Sequence, residues 1–235
     1  MSRQFQHHLP KFYLRGWSTT VNRVPMRVWV YEKGTEPRPS AIRRTGGRDN
    51  TYALTRHDGT IDLNEVENYL GRIETQAGKV FPRILQRKVL TASEKRTMSV
   101  FLSVMYRRDT YTLDAFTPEK LPAMLVDVSA KMHAQVDAAD VSAEAKERYH
   151  LETDRALEHY RNNPKSVTAR AILEAEPFGE SILQRLNWSF ACSPSNSFVT
   201  SDSPVVFDRF RGLKDSAGGH IIFPISSGIL LWMTR

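Results

Sequence analysis

Polar and apolar positions follow two different periods along this chain, and the period changes over twice. Near the start, Arg27-Val28-Trp29-Val30-Tyr31-Glu32 alternates and is rich in β-formers, which predicts a strand. Pro10, tolerated in a first helical turn, opens a short helix or turn within residues 7–17. Residues 33–49 read as a loop dense in Gly, Pro and Arg, Thr51-Tyr52-Ala53-Leu54 as a second strand, and Asp58-Gly59 as a turn. From Leu63 the period becomes helical. Leu63, Val66, Leu70, Ile73, Ala77 and Val80 form one apolar stripe, which Pro82 is expected to interrupt or restart.

Thr91-Ala92-Ser93-Glu94 matches a capping box, in which the hydroxyl and carboxylate satisfy orphan backbone donors. It opens a helix ending at Arg107-Arg108. Further helices are expected over 118–135, 142–161 and about 165–186. The second of these is mostly polar with charges of alternating sign, the mark of a solvated outer face, and Asn162-Asn163-Pro164 stops it. After Asn187 short apolar segments return: 188–192, 198–200, 205–207, 221–223 and 229–232, punctuated by Ser-Pro and Ser-Gly. The order of strands, helices and strands predicts an α+β fold. Its mixed or antiparallel sheet would be built from N- and C-terminal strands around a central block of helices. A single domain over 1–235 is expected, with 118–165 as a helical appendage.

Composition narrows the classes. Thirty-three Lys and Arg against 26 Asp and Glu give a formal charge of +7, which favours anionic partners, nucleic acid or nucleotide among them. Arg38, Arg43, Arg44 and Arg48 share the 33–49 loop. No apolar run approaches the ~20 residues of a membrane span. Met1 to Gln6 lack the apolar core of a signal peptide. The single cysteine, Cys192, precludes an internal disulfide and suits a reducing, cytoplasmic setting. There is no P-loop, G-x-G-x-x-G, H-E-x-x-H or zinc-type cysteine spacing, which argues against ATP hydrolysis, dinucleotide redox chemistry and structural zinc.

The candidate chemistry lies at the two ends. His7 can exchange a proton near neutral pH or ligate a metal; His8 is adjacent and need not face the same way. Asp202 follows a strand-like run and precedes Pro204, so it is either a positioned carboxylate or a turn former. Ser201 and Ser203 lack a G-x-S-x-G elbow. Glu67 and Glu74 are seven residues apart on the predicted helix, about 10.5 Å along its axis. That is too far to share one metal ion, so each needs a partner such as His7, Tyr52 or an arginine. Arg107 and Arg108 sit where a helix dipole favours cations, suited either to pairing with Glu67 or Glu74 or to holding phosphate. Tyr13, Trp17, Tyr52 and Trp188 are expected to pack the core and place one polar atom each in a network.

Taken in order, His7-x-x-Pro10-x-x-Tyr13-Leu14-x-x-Trp17, Glu67-x-x-Leu70-x-x-Ile73-Glu74, Trp188, Thr200-Ser201-Asp202-x-Pro204-Val205 and Phe223-Pro224-Ile225-Ser226 resemble the DUF4238 family of bacterial proteins of unknown function. The resemblance runs from residue 7 almost to the end and implies shared architecture and a shared polar cluster, with no reaction attached. Two departures stand out. The family commonly has Gln three residues before the middle-helix Arg, where this chain has Met105 before Arg108. The family also usually continues into a terminal helix beyond Phe-Pro-Ile-Ser, where this sequence ends at Arg235.

Two functions remain open. In one, His7, Asp202 and Glu67 or Glu74 form the catalytic cluster of a hydrolase of nucleic acid or a nucleotide. Arg107, Arg108 and Tyr52 then hold substrate, and a divalent metal is the cofactor that could serve the cluster. In the other, the same residues are a structural network in a non-catalytic binding or sensor module.

Overall fold

The computed structural model describes residues 5–18, 26–49, 51–56, 58–208 and 219–235, so most of the Met1–Gln6 segment lies outside the described residues. The fold is α+β with antiparallel sheets. In the N-terminal part, β1 (Phe5–His7) pairs with β4 (Gly47–Asp49), β2 (Arg27–Val30) with β3 (Arg38–Ala41), and β5 (Leu54–Thr55) with β6 (Ile61–Asp62). Two of these strands fall inside the expected 33–49 loop. They are short and polar, so their pairing comes from tertiary contacts and not from an apolar pattern. Residues 51 and 52 belong to a turn, leaving only Leu54 of the expected second strand within β5.

The helices are α1 (Lys11–Arg15), α2 (Glu65–Leu85), α3 (Ala92–Arg107), α4 (Thr110–Ala115), α5 (Leu121–Ala138), α6 (Ala143–Asn162), α7 (Pro164–Leu173) and α8 (Glu176–Ser181). The apolar stripe of α2 is buried from Val66 through Ile84, and the helix runs through Pro82 for three more residues. A proline there removes one helical hydrogen bond, which packing of Val80, Phe81 and Ile84 on both sides of it offsets. The Thr91–Glu94 capping box is formed as expected. The helix expected over 165–186 breaks at Glu174, and Pro177 starts α8. Gly179 lets α8 lie directly on α3, since a Cβ there would be 2.7 Å from the Ser99 carbonyl oxygen.

The C-terminal strands β7 (Asn187–Cys192), β8 (Val206–Asp208), β9 (His220–Ser226) and β10 (Ile229–Thr234) form one antiparallel sheet in the order β7-β10-β9-β8. Residues 198–200, expected as a strand, are irregular. Among the described residues the strands of the two chain ends are not hydrogen-bonded into one sheet. Side chains join them instead. Tyr13 of α1 stacks on Phe223 of β9, and its hydroxyl donates to the Pro224 carbonyl at 2.9 Å and lies 2.6 Å from the Thr200 hydroxyl. The main core lies between α2, α3 and this sheet; α5 and α6 bury a separate small cluster of Leu121, Leu125 and Leu157. Among the described residues no helix is long and apolar enough to cross a membrane.

Candidate functional site

The site begins with the period of β1. Successive side chains of a strand point to opposite faces. Gln6 of β1 is 1% exposed and His8, in the bend that follows the strand, 5% exposed, whereas His7 is half-buried. Gly46 fixes this arrangement. Its carbonyl accepts from the backbone of both His8 (2.8 Å) and Leu9 (3.0 Å). Its φ is +68°, and a Cβ at this position would lie only 2.7 Å from Leu9 Cβ, so glycine alone fits.

The two histidines thus line different cavities. His7 shares one of ≈ 470 Å³ with Glu67, Glu74, Lys11 and Arg15. His8 shares another of ≈ 680 Å³ with Asp202, Thr200, Thr110, Arg48 and the β2–β3 hairpin. His7 and Asp202, expected from the sequence to act together, do not line a common cavity; the imidazole beside Asp202 is that of His8.

Between the cavities lies Arg108, which caps α3 and is wholly buried. Its Nη1 donates to Glu74 Oε1 at 2.7 Å, and its Nη2 donates to Met105 Sδ at 3.2 Å. Tyr52, also wholly buried, sits in the field of Arg108, Glu67, Glu74 and Arg48. Its backbone N–H donates to Gln6 Oε1 at 2.8 Å. Arg107 is elsewhere: its guanidinium lies 5.9 Å over the Phe178 ring, on the α8 side of α3.

Burial controls the protonation of this centre. Desolvation pulls His8 down to about 4, with the Arg48 charge adding to the effect and the Asp202 carboxylate opposing it. Desolvation lowers His7 as well, helped by Lys11 and opposed by backbone hydrogen bonding at Ile42 and Arg43 and by Glu74. Both rings are neutral at pH 7 and carry a lone pair. Desolvation raises Glu67, to which the nearby Glu74 charge contributes, and it raises Tyr52. Asp109, the N-cap of α4, accepts from the Thr112 N–H at 2.7 Å; desolvation raises its carboxyl in spite of that bond.

Seven buried side-chain atoms in this centre have no hydrogen-bond partner: Gln6 Nε2, His7 Nε2, both ring nitrogens of His8, Tyr52 Oη, Glu67 Oε1 and Arg108 Nε. They make up most of the eleven such atoms among the described residues. Each costs about 1–3 kcal/mol if left unmet. Together they would cancel much of the ~5–15 kcal/mol by which a domain is stable. A cluster of this size calls for bound water or a polar ligand.

The donors present do not fit a divalent metal here. Among the described residues no three His, Cys, Asp or Glu side chains are grouped to hold one. Sequence reasoning missed Gln6 and Asp109; Arg48 it noted only as part of the basic 33–49 loop. Only Asp109 carried a local signal, an N-cap Asp directly after the α3 helix.

The family model for a protein of unknown function (DUF4238) matches residues 6–235. The chain is a member of that family, whose defining feature is a shared sequence and not a known reaction. No curated protein and no solved structure matches the chain significantly.

Proposed function

We propose that this centre is the active site of a hydrolase of phosphate esters carried by a nucleotide or nucleic acid. The observation that carries the reading is the cluster of unpartnered buried polar atoms around two neutral histidines. The larger cavity supports the ligand class. Lys33, Arg38, Arg44 and Arg48 line it together with Glu32 and Asp202, an excess of positive charge. Trp29 and Tyr31, 49% and 76% exposed, offer aromatic faces for bases to stack on. The surface pairs Arg38–Glu32 and Arg48–Asp114 are worth little in water and can be exchanged for phosphate.

In this reading the phosphate docks on these cations, and its charge raises the proton affinity of His8. The neutral ring takes the proton of an attacking water as its oxygen bonds to phosphorus and the P–O ester bond breaks; Asp202 stabilises the imidazolium, which then returns the proton to the leaving oxygen. Arg108 and Tyr52 present donors from below. His7, Glu67 and Glu74 stand behind them and position Arg108. The lone Cys192 fits a reducing, cytoplasmic setting for this chemistry.

Purified chain incubated with nucleotides, single-stranded DNA and RNA, and simple phosphomonoesters and phosphodiesters tests this. Cleavage of at least one, lost in His8→Gln and Asp202→Asn proteins that melt like the parent, is the expected result. Absence of both cleavage and binding across the set would overturn the proposal. Binding without cleavage would favour a non-catalytic module. That second reading draws on the Arg108–Glu74 pair, in which the central cation is already matched by a protein carboxylate.

A further inference from the structure

A third cavity, of ≈ 540 Å³, shares no lining residue with the two beside the histidines. It opens between the α2–α3 turn and β7. On β7, Trp188, Phe190 and Cys192 alternate onto one face, and their partners across the ladder on β10 are Met233, Leu231 and Ile229. Those three β10 side chains are at most 7% exposed, as befits the core face of a sheet. On β7, the edge strand, the same face is open: Phe190 is 38% exposed and Cys192 is exposed too. The apolar face of the sheet therefore runs one strand beyond the helices that cover it.

The rim of this cavity is cationic. Arg87, Lys88 and Lys95 line it, and no Asp or Glu does so among the described residues. Glu94, next to Lys95 in sequence, is taken up by Arg83 and by the cap of α3. Lys95 Nζ lies 5.6 Å over the Trp188 ring and donates to the Leu186 carbonyl at 2.7 Å, which leaves ammonium protons for a further acceptor. Arg87 is held where an arginine is disfavoured. The α2 helix ends in a Schellman motif, the Arg87 N–H donating to the Ile84 carbonyl and the Lys88 N–H to that of Arg83. Arg87 takes the left-handed position of this motif, at φ +59°, where glycine is usual.

We propose that this cavity binds a small aromatic carboxylate, its ring against Trp188, Phe190 and Ile229 and its anionic group on Arg87 and Lys95. A guanidinium fork matches a carboxylate through two parallel hydrogen bonds, and aromatic walls favour an aromatic ring. The volume lies within the roughly 300–1,000 Å³ of small-molecule pockets. The site stands apart from the phosphate chemistry and does not depend on it.

The probe is 2-naphthoate, with 2-naphthylmethanol as its uncharged counterpart. Cys192, the only cysteine of the chain, reports the place of binding. One equivalent of naphthoate should bind saturably by calorimetry. At about ten times its Kd it should slow alkylation of Cys192 by iodoacetamide about tenfold. The alcohol should bind roughly tenfold more weakly or worse, as should naphthoate to Arg87→Gly and to Lys95→Met. Arg87→Gly should melt at or above the parent, since glycine suits the turn, so its loss of affinity is not a loss of fold. Lack of saturable binding up to millimolar naphthoate, binding that leaves Cys192 as reactive as before, or equal affinity for the alcohol would overturn the proposal. So would a dimer in solution with Cys192 already protected, because a second copy of the chain would then cover this face.

Discussion

At the scale of single residues, the site is governed by where a short strand ends. His7 and His8 are neighbours in sequence, yet His7 ends β1 and His8 opens the bend held by the Gly46 carbonyl, and they line separate cavities. The sequence singles out a histidine pair near the start; it does not show which one points inward, because β1 has only three residues and no apolar pattern to set its phase. The cost of burying His8 leads to a pH prediction. Its folded pKa of about 4 lies below the unfolded value, so between pH 6.5 and 4 the unfolded chain binds more protons and stability falls with pH. The full effect is about 3 kcal/mol. Glu67 and Asp109, both raised, act in the opposite direction as pH falls. Urea titrations at pH 7 and 4.5 should therefore show that His8→Leu loses less stability on acidification than the native chain; an equal loss would mean that His8 does not titrate in this window. Met105 gives a second prediction. Its thioether is a weak acceptor for Arg108 Nη2. Met105→Gln should stabilise the chain by roughly 1–2 kcal/mol if its amide oxygen takes that bond. A lower Tm would indicate that the buried amide nitrogen finds no acceptor of its own.

Among secondary-structure elements, those with a strong pattern were legible. The stripe of α2, the capping box of α3 and the strands β2, β7, β9 and β10 follow from their residues. What was illegible depends on distant partners. The strands β3 and β4 are polar and exist because β2 and β1 lie beside them. Pro82 stays inside α2 because the residues around it are buried. Gly46 and Gly47, weak signals in the sequence, prove to be the positions that let β1 approach: Phe5 Cε1 would lie 2.5 Å from a Cβ at Gly47. The two ends of the chain were expected to share a sheet but meet through Tyr13. Tyr13→Phe should destabilise the protein by about 1–2 kcal/mol, the worth of one or two net hydrogen bonds, while leaving its near-ultraviolet spectrum folded. A change near zero would show that the hydroxyl bonds do not contribute to joining the ends. Gly179→Ala should cost about 1–3 kcal/mol by pushing α8 off α3, measurable as a lower urea midpoint.

For the molecule as a whole, the larger cavity carries more positive than negative side chains. Those cations share the cavity with the exposed Trp29 and Tyr31, beside the centre where buried polar atoms lack partners. Net charge alone could not have located this, since Arg107, one of the arginines chosen from sequence, faces Phe178 instead. The convergence of His8, Arg48, Arg108 and Asp202 spans nearly the whole chain and appears only once α1 docks on the C-terminal sheet. The most direct test of a phosphate-binding centre follows the protonation of the His8 ring by ¹⁵N NMR, with and without a saturating nucleotide or single-stranded oligonucleotide. The ring should be neutral at pH 6 in the free protein, with a pKa at least one unit higher once a phosphate sits on the cations beside it. A His8 ring whose signals and titration are indifferent to every phosphorylated ligand would contradict that role.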